Sequence, residues 1–196
     1  MGNKLLMLKK TALLFLLFYS YAVLRYHVGK GLGQEEILFV VNKAFAWTAG
    51  TCFALTLLPK KWFPSTLSYR KQFGLLGYSF SLLHITANII LINATNYPLL
   101  FEGNYLNPHG WQLIILGILT ISCFSLPLIA TLKKLPTGSV LYKFGKIGVL
   151  TSIIHVSIIG IHGWFTPLEW PYYLPPITLL FVITASSIVI YRSFFT

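Results

Sequence analysis

GWQLIILGILTISCFSLPLIATL, residues 110–132, runs for 23 positions without a charged side chain and then stops at Lys133, Lys134 and Pro136. A helix of about 20 apolar residues crosses the hydrocarbon core of a bilayer, so this stretch reads as a transmembrane helix. Five further apolar runs, near 11–29, 36–58, 72–93, 146–166 and 174–194, have similar lengths. The segments between them are rich in Gly, Pro, Asn and Lys, which end helices: Gly29 to Gly33, Pro59 to Lys61, Asn96 to Pro98 and Pro171 to Tyr173. The prediction is an all-α membrane protein, one domain over 1–196 built as a six-transmembrane helix bundle with short loops.

The composition agrees. Hydrophobic residues make up 56% of the chain and charged ones 10%, against about a quarter charged in a soluble domain. Too few polar groups are present to coat a core in water, so lipid is the expected surroundings and partner. The basic, apolar N-terminus reads as the first span and not as a cleaved signal. Cys52 and Cys123 sit inside apolar runs without metal-ligand spacing and read as small core residues.

A formal charge of +11 invites a nucleic-acid reading, but the distribution of the charges opposes it. Twelve of the fifteen cations fall at the N-terminus, in the second-to-third and fourth-to-fifth connections or in the tail. The four acids, Glu35, Glu36, Glu102 and Glu169, all fall in the other connections. By the positive-inside rule both termini are cytoplasmic, in a multi-pass protein of the inner membrane. The basic excess is then a topology signal, with anionic headgroups as its natural contact and no nucleic acid.

Polar side chains inside spans are costly and mark function or helix pairing. His84 lies thirteen residues beyond Lys71, and His155 twelve beyond Lys143. At 1.5 Å per residue both stand about 18–20 Å from the cytoplasmic ends of their helices. Two imidazoles at one depth on two helices suit the two faces of a haem iron, and an apolar surround suits a porphyrin. The plainer reading is that each histidine hydrogen-bonds a neighbouring helix. His162, two turns after His155 on nearly the same face, is a rival ligand, although depth matching favours His155. His27 and His109 fall near the same outer surface as His162. Together the three could line an outer substrate or metal site, or be ordinary interfacial residues. Lys43, inside the second span, either meets a haem propionate or snorkels to the outer headgroups.

The third-span segment from Arg70 to His84, RKQFGLLGYSFSLLH, resembles the R-R-x-L-G-L…L-H motif of ferric-reductase-like transmembrane proteins. The likeness is greatest to the branch that holds the haem-binding subunit of the methionine-sulfoxide reductase system (MsrQ/YedZ). ALTLLP, residues 54–59, looks like that family's end of the second helix. The resemblance implies a b-type haem protein that carries electrons across the membrane, with His84 as the third-helix ligand. The fifth helix departs from the pattern, because its histidines are seven apart, where the branch has thirteen. No histidine stands one haem-spacing before His84, where Arg70 and Lys71 are found. The expectation is therefore one haem b, in the outer half of the membrane.

Electrons would then arrive from a quinol or a flavin reductase, with quinone or FMN as a second redox group. They would leave to an outer-side oxidoreductase or a ferric complex. The chain has no G-x-G-x-x-G unit to hold a nicotinamide or flavin dinucleotide itself. The competing readings are a small-solute or ion transporter lined by His84, His155 and Lys43, and a non-redox structural subunit. The positions of the acids, outside the spans or at their edges, oppose proton-coupled transport.

Overall fold

The computed structural model describes residues 2–29, 37–58, 66–136 and 139–195. Among the described residues, six helices are long and apolar enough to span a membrane. They are α1 (Gly2–Ala22, continued by a π-helical turn over Val23–Val28), α2 (Ile37–Thr56), α3 (Thr66–Leu91), α4 (Pro108–Leu132), α5 (Phe144–Trp164) and α6 (Ile177–Phe195). The connections bearing Lys30, Glu35 and Glu36, and Lys60 and Lys61, lie outside the described residues.

The boundaries follow local chemistry. Asn107 caps α4, its side chain accepting from the Gly110 amide at 2.9 Å, and Pro108 takes the first helical position, where a missing N–H costs nothing. α4 ends in a Schellman turn, with Leu135 N–H donating to Ala130 O and Lys134 N–H to Thr131 O. That turn places Lys134 at φ 55°, a position glycine usually takes. α6 begins at Ile177, later than 174, because a proline drives the residue before it out of helical backbone: Leu174 and Pro175 each precede one, and Leu174 is extended, with ψ 121°. α3 begins at Thr66, earlier than 72, and so carries Arg70 and Lys71 inside the helix. A small hairpin between α3 and α4 pairs β1 (Phe101–Glu102) with β2 (Tyr105–Leu106), turning at Gly103 with φ +61°.

α2 is the hub: it packs along α3, and also meets α1, α6 and α5, while α4 packs along α5 and α5 along α6. Between lipid-solvated helices association rests on close packing and hydrogen bonds more than on hydrophobic burial. Glycines provide the close packing. Gly77 of α3 opens a space for Phe53 of α2, and Gly148 of α5 one for Phe124 of α4. The two rings stack with centroids 3.5 Å apart. Gly50 of α2 similarly admits the buried ring of Phe181 from α6. Leu13, Leu17, Ile89, Ile90, Ile115 and Ile118 point outward as the lipid-facing coat.

The end of α1 is tied to the segment before α6. Tyr21 donates to Pro175 O at 2.7 Å, Arg25 donates to Leu174 O, and Gly29 lies against Pro171. Several hydroxyls within the spans are satisfied on their own helix. Thr48, Ser125 and Ser157 donate to the carbonyls of Ala44, Ile121 and Ile153, the economy expected where water is absent.

Candidate functional site

The polar residues left over after this accounting gather along α2, α3 and the α4–α5 seam. Asn42, fully buried on α2, donates from Nδ2 to Asn88 Oδ1 at 2.9 Å. Its own Oδ1 lies 2.6 Å from His84 Nδ1. An amide oxygen only accepts, so His84 carries its proton on Nδ1 and its Nε2 bears the lone pair. Asn88 Nδ2 lies 3.0 Å from Nε2 and 3.4 Å from Nδ1. A partner in line with the Nε2 lone pair would be much farther from Nδ1. The Asn88 amide therefore sits against the ring and leaves the lone-pair direction uncrossed. The Tyr97 hydroxyl reaches the same Asn88 Oδ1 at a longer 3.4 Å.

His155, on α5, is held in a matching way. Its Nδ1 donates to the Leu113 carbonyl of α4 at 3.1 Å, and Nε2 meets no hydrogen-bond partner among the described residues. The ring lies against Gly117, where a Cβ would stand 3.2 Å from Cε1. One turn further along α4, Thr120 has a buried hydroxyl with no hydrogen-bond partner among the described residues. His84 and His155 lie within electrostatic reach of one another, and Lys43 lies within reach of His84. α3 and α5 nevertheless share no packed seam: α3 rests on α2 and α5 on α4.

The other expected residues go elsewhere. His162 meets His109 of α4 edge to face, with ring centroids 6.2 Å apart, near the end of the bundle. His27 lies on the π-helical turn of α1. Among the described residues no three His, Cys, Asp or Glu side chains gather as a metal site. Lys43 extends its ammonium over the rings of Phe39 and Tyr97, at 4.5 and 5.2 Å from their centroids. These are cation–π contacts that point it toward the end of the bundle where Tyr97 lies.

Asn42, Asn88, Tyr97, Gly117 and Thr120 carry no site expectation from the sequence. Asn88 is one turn beyond His84, and that i, i+4 spacing was the available signal.

No family model matches this chain. No curated protein matches it either.

The residues fit a bis-imidazole haem in their donor chemistry. Metal-bound histidines typically donate the second ring N–H to a carbonyl, carboxylate or water, which fixes tautomer and orientation. His84 and His155 each anchor Nδ1 on an amide or peptide oxygen. A macrocycle that brings four nitrogens of its own needs only two protein ligands. A structural zinc site needs three or four.

Proposed function

We propose that the chain is a membrane-embedded b-type haem protein that passes electrons, with His84 and His155 as the axial ligands. The observation that supports this most is the paired anchoring. Two imidazoles on helices that do not pack together each turn Nδ1 into a neighbouring helix, leaving Nε2 for a shared ligand.

Haem, when bound, supplies the one-electron chemistry. The chain's own groups hold and tune it. Asn42 fixes the His84 tautomer and ring plane, and the Leu113 carbonyl does the same for His155. Gly117 leaves room beside the His155 ring. Lys43 places a positive charge near His84 that favours the more electron-rich state of the site. The apolar spans keep the local dielectric low. On this reading both termini are cytoplasmic in an inner membrane. A quinol or a flavin reductase is the donor, and an outer-side oxidoreductase or a ferric complex the acceptor. The ferric-reductase-like resemblance of residues 70–84 points the same way.

The test is the dithionite-reduced minus oxidised spectrum of purified protein beside His84→Ala, His155→Ala and His162→Ala. Sharp alpha and Soret bands lost in the first two variants and kept in the third are expected. Protein without haem bands, even when haem is supplied during expression, would overturn the proposal.

A second reading is favoured by the closed triangle of His84, Asn42 and Asn88, which on its own clasps α2 to α3. In that case His84→Ala lowers the unfolding midpoint of a protein that binds no haem.

A further inference from the structure

The end of the bundle where α4 begins and α5 finishes holds two histidines that the proposed function does not use. His109 is the second residue of α4, and His162 stands in the last turn of α5. Gly117 lies against His155 and Phe124 against Gly148, so the two helices run antiparallel and their register brings 109 to 162. The ring centroids are 6.2 Å apart, with the planes tilted by 66°. Among the described residues neither imidazole has a hydrogen-bond partner, in contrast to His84 and His155. His162 is exposed and His109 partly so, which leaves the pair reachable from outside the bundle.

Both rings stand on backbone that is fixed from several sides. At the end of α5, Trp170 Nε1 donates to Gly163 O at 2.7 Å and Trp164 Nε1 donates to Thr178 Oγ1 of α6 at 2.9 Å. At the start of α4, Asn107 donates from Nδ2 to Leu99 O at 3.0 Å, and Gly110 packs so closely that a Cβ there would stand 2.5 Å from Leu100 O. Ligands carried on fixed backbone lose little freedom when an ion joins them.

We propose that His109 and His162 together bind a divalent first-row transition-metal ion, copper(II) most tightly. Such an ion holds an imidazole nitrogen at about 2.0–2.1 Å, so two rings on one ion have centres about 5–6.4 Å apart for angles from tetrahedral to linear. The observed separation falls in that range. Imidazole suits zinc, copper, iron and nickel, and copper(II) leads the series in affinity. Two protein ligands leave further positions to water or to a small ligand that arrives with the ion. The opposed ends of α4 and α5 offset one another here, so the affinity rests on the imidazoles. Glu102 before α4 and Glu169 after α5 give both flanking connections a negative charge that draws cations. The site uses neither His84 nor His155 and stands apart from the haem reading.

The experiment titrates the full chain, purified in detergent, with copper(II) and follows bound copper by equilibrium dialysis and its paramagnetic resonance spectrum. One bound copper per chain, with splitting from two nitrogens, is the expected result. His109→Ala and His162→Ala should each lose that copper and its two-nitrogen pattern, while their unfolding midpoints stay near the wild type. His109→Gln and His162→Gln, which keep a polar side chain of similar length, serve where an alanine variant does not fold. His84→Ala should keep the copper. No copper bound by the wild type overturns the proposal, as does binding that survives in both the His109 and the His162 variants. Loss of the copper in His84→Ala also overturns it, by placing the ion at the other histidine pair.

Discussion

His84 Nδ1 donates to Asn42 Oδ1 across 2.6 Å, so the imidazole on α3 is oriented by a fully buried amide on α2. Replacing Asn42 by Leu keeps the volume and removes the acceptor. Loss of such an orienting partner typically costs 10–100-fold in ligand affinity at a metal-bound histidine, so haem affinity should fall by about that factor. A haem titration of the apoprotein measures it, and unchanged affinity would separate Asn42 from the site.

Lys43 acts through charge. Lys43→Met should lower the reduction potential, since the lost cation favoured the reduced state by on the order of 1 kcal/mol in a medium of intermediate dielectric. Potentiometry of the purified protein reads the shift. A rise, or no movement, would place the ammonium with the headgroups alone.

The two fifth-helix histidines should behave differently. His155→Ala should abolish the reduced spectrum, whereas His162→Ala should retain it, because His162 is turned to His109. The reverse pattern would exchange their roles.

Packing at the hub gives a prediction independent of any cofactor. A Cβ at Gly50 runs into the Phe181 ring, which is itself buried. Gly50→Val overfills that contact and should cost about 1–3 kcal/mol. The combination with Phe181→Ala should recover part of the loss, as a double-mutant cycle of unfolding free energies would reveal.

Much of this architecture was legible because the spans are long and nearly free of charge. The helix ends were less so. Arg70 and Lys71 read as a connection, yet the structure keeps them in α3, where a long basic side chain can reach the helix end or a neighbouring carbonyl. The hairpin at Phe101–Leu106 is too short to leave a periodic signal.

At the candidate site the histidines stood out as rare polar residues in apolar runs, but their partners did not. A single Asn42 reads the same whether it faces lipid, a loop or a histidine. Only the packing of α2 on α3 supplies Asn88 and His84. The seven-residue spacing of His155 and His162 puts both on one face, so their separate neighbours, Leu113 and His109, emerge only from the way α4 lies on α5.

The position of α2 at the hub also bears on how the protein is made. Asn42 and Lys43 would enter the bilayer on the second helix, and an unpaired lysine or amide there carries a cost of a few kcal/mol. The acceptor, the ring and the tyrosine that satisfy them belong to α3 and the connection just after it. α2 is therefore poorly suited to settle in lipid alone. It should leave the translocon with α3 as one helical hairpin, and truncation between them should leave α2 loosely inserted.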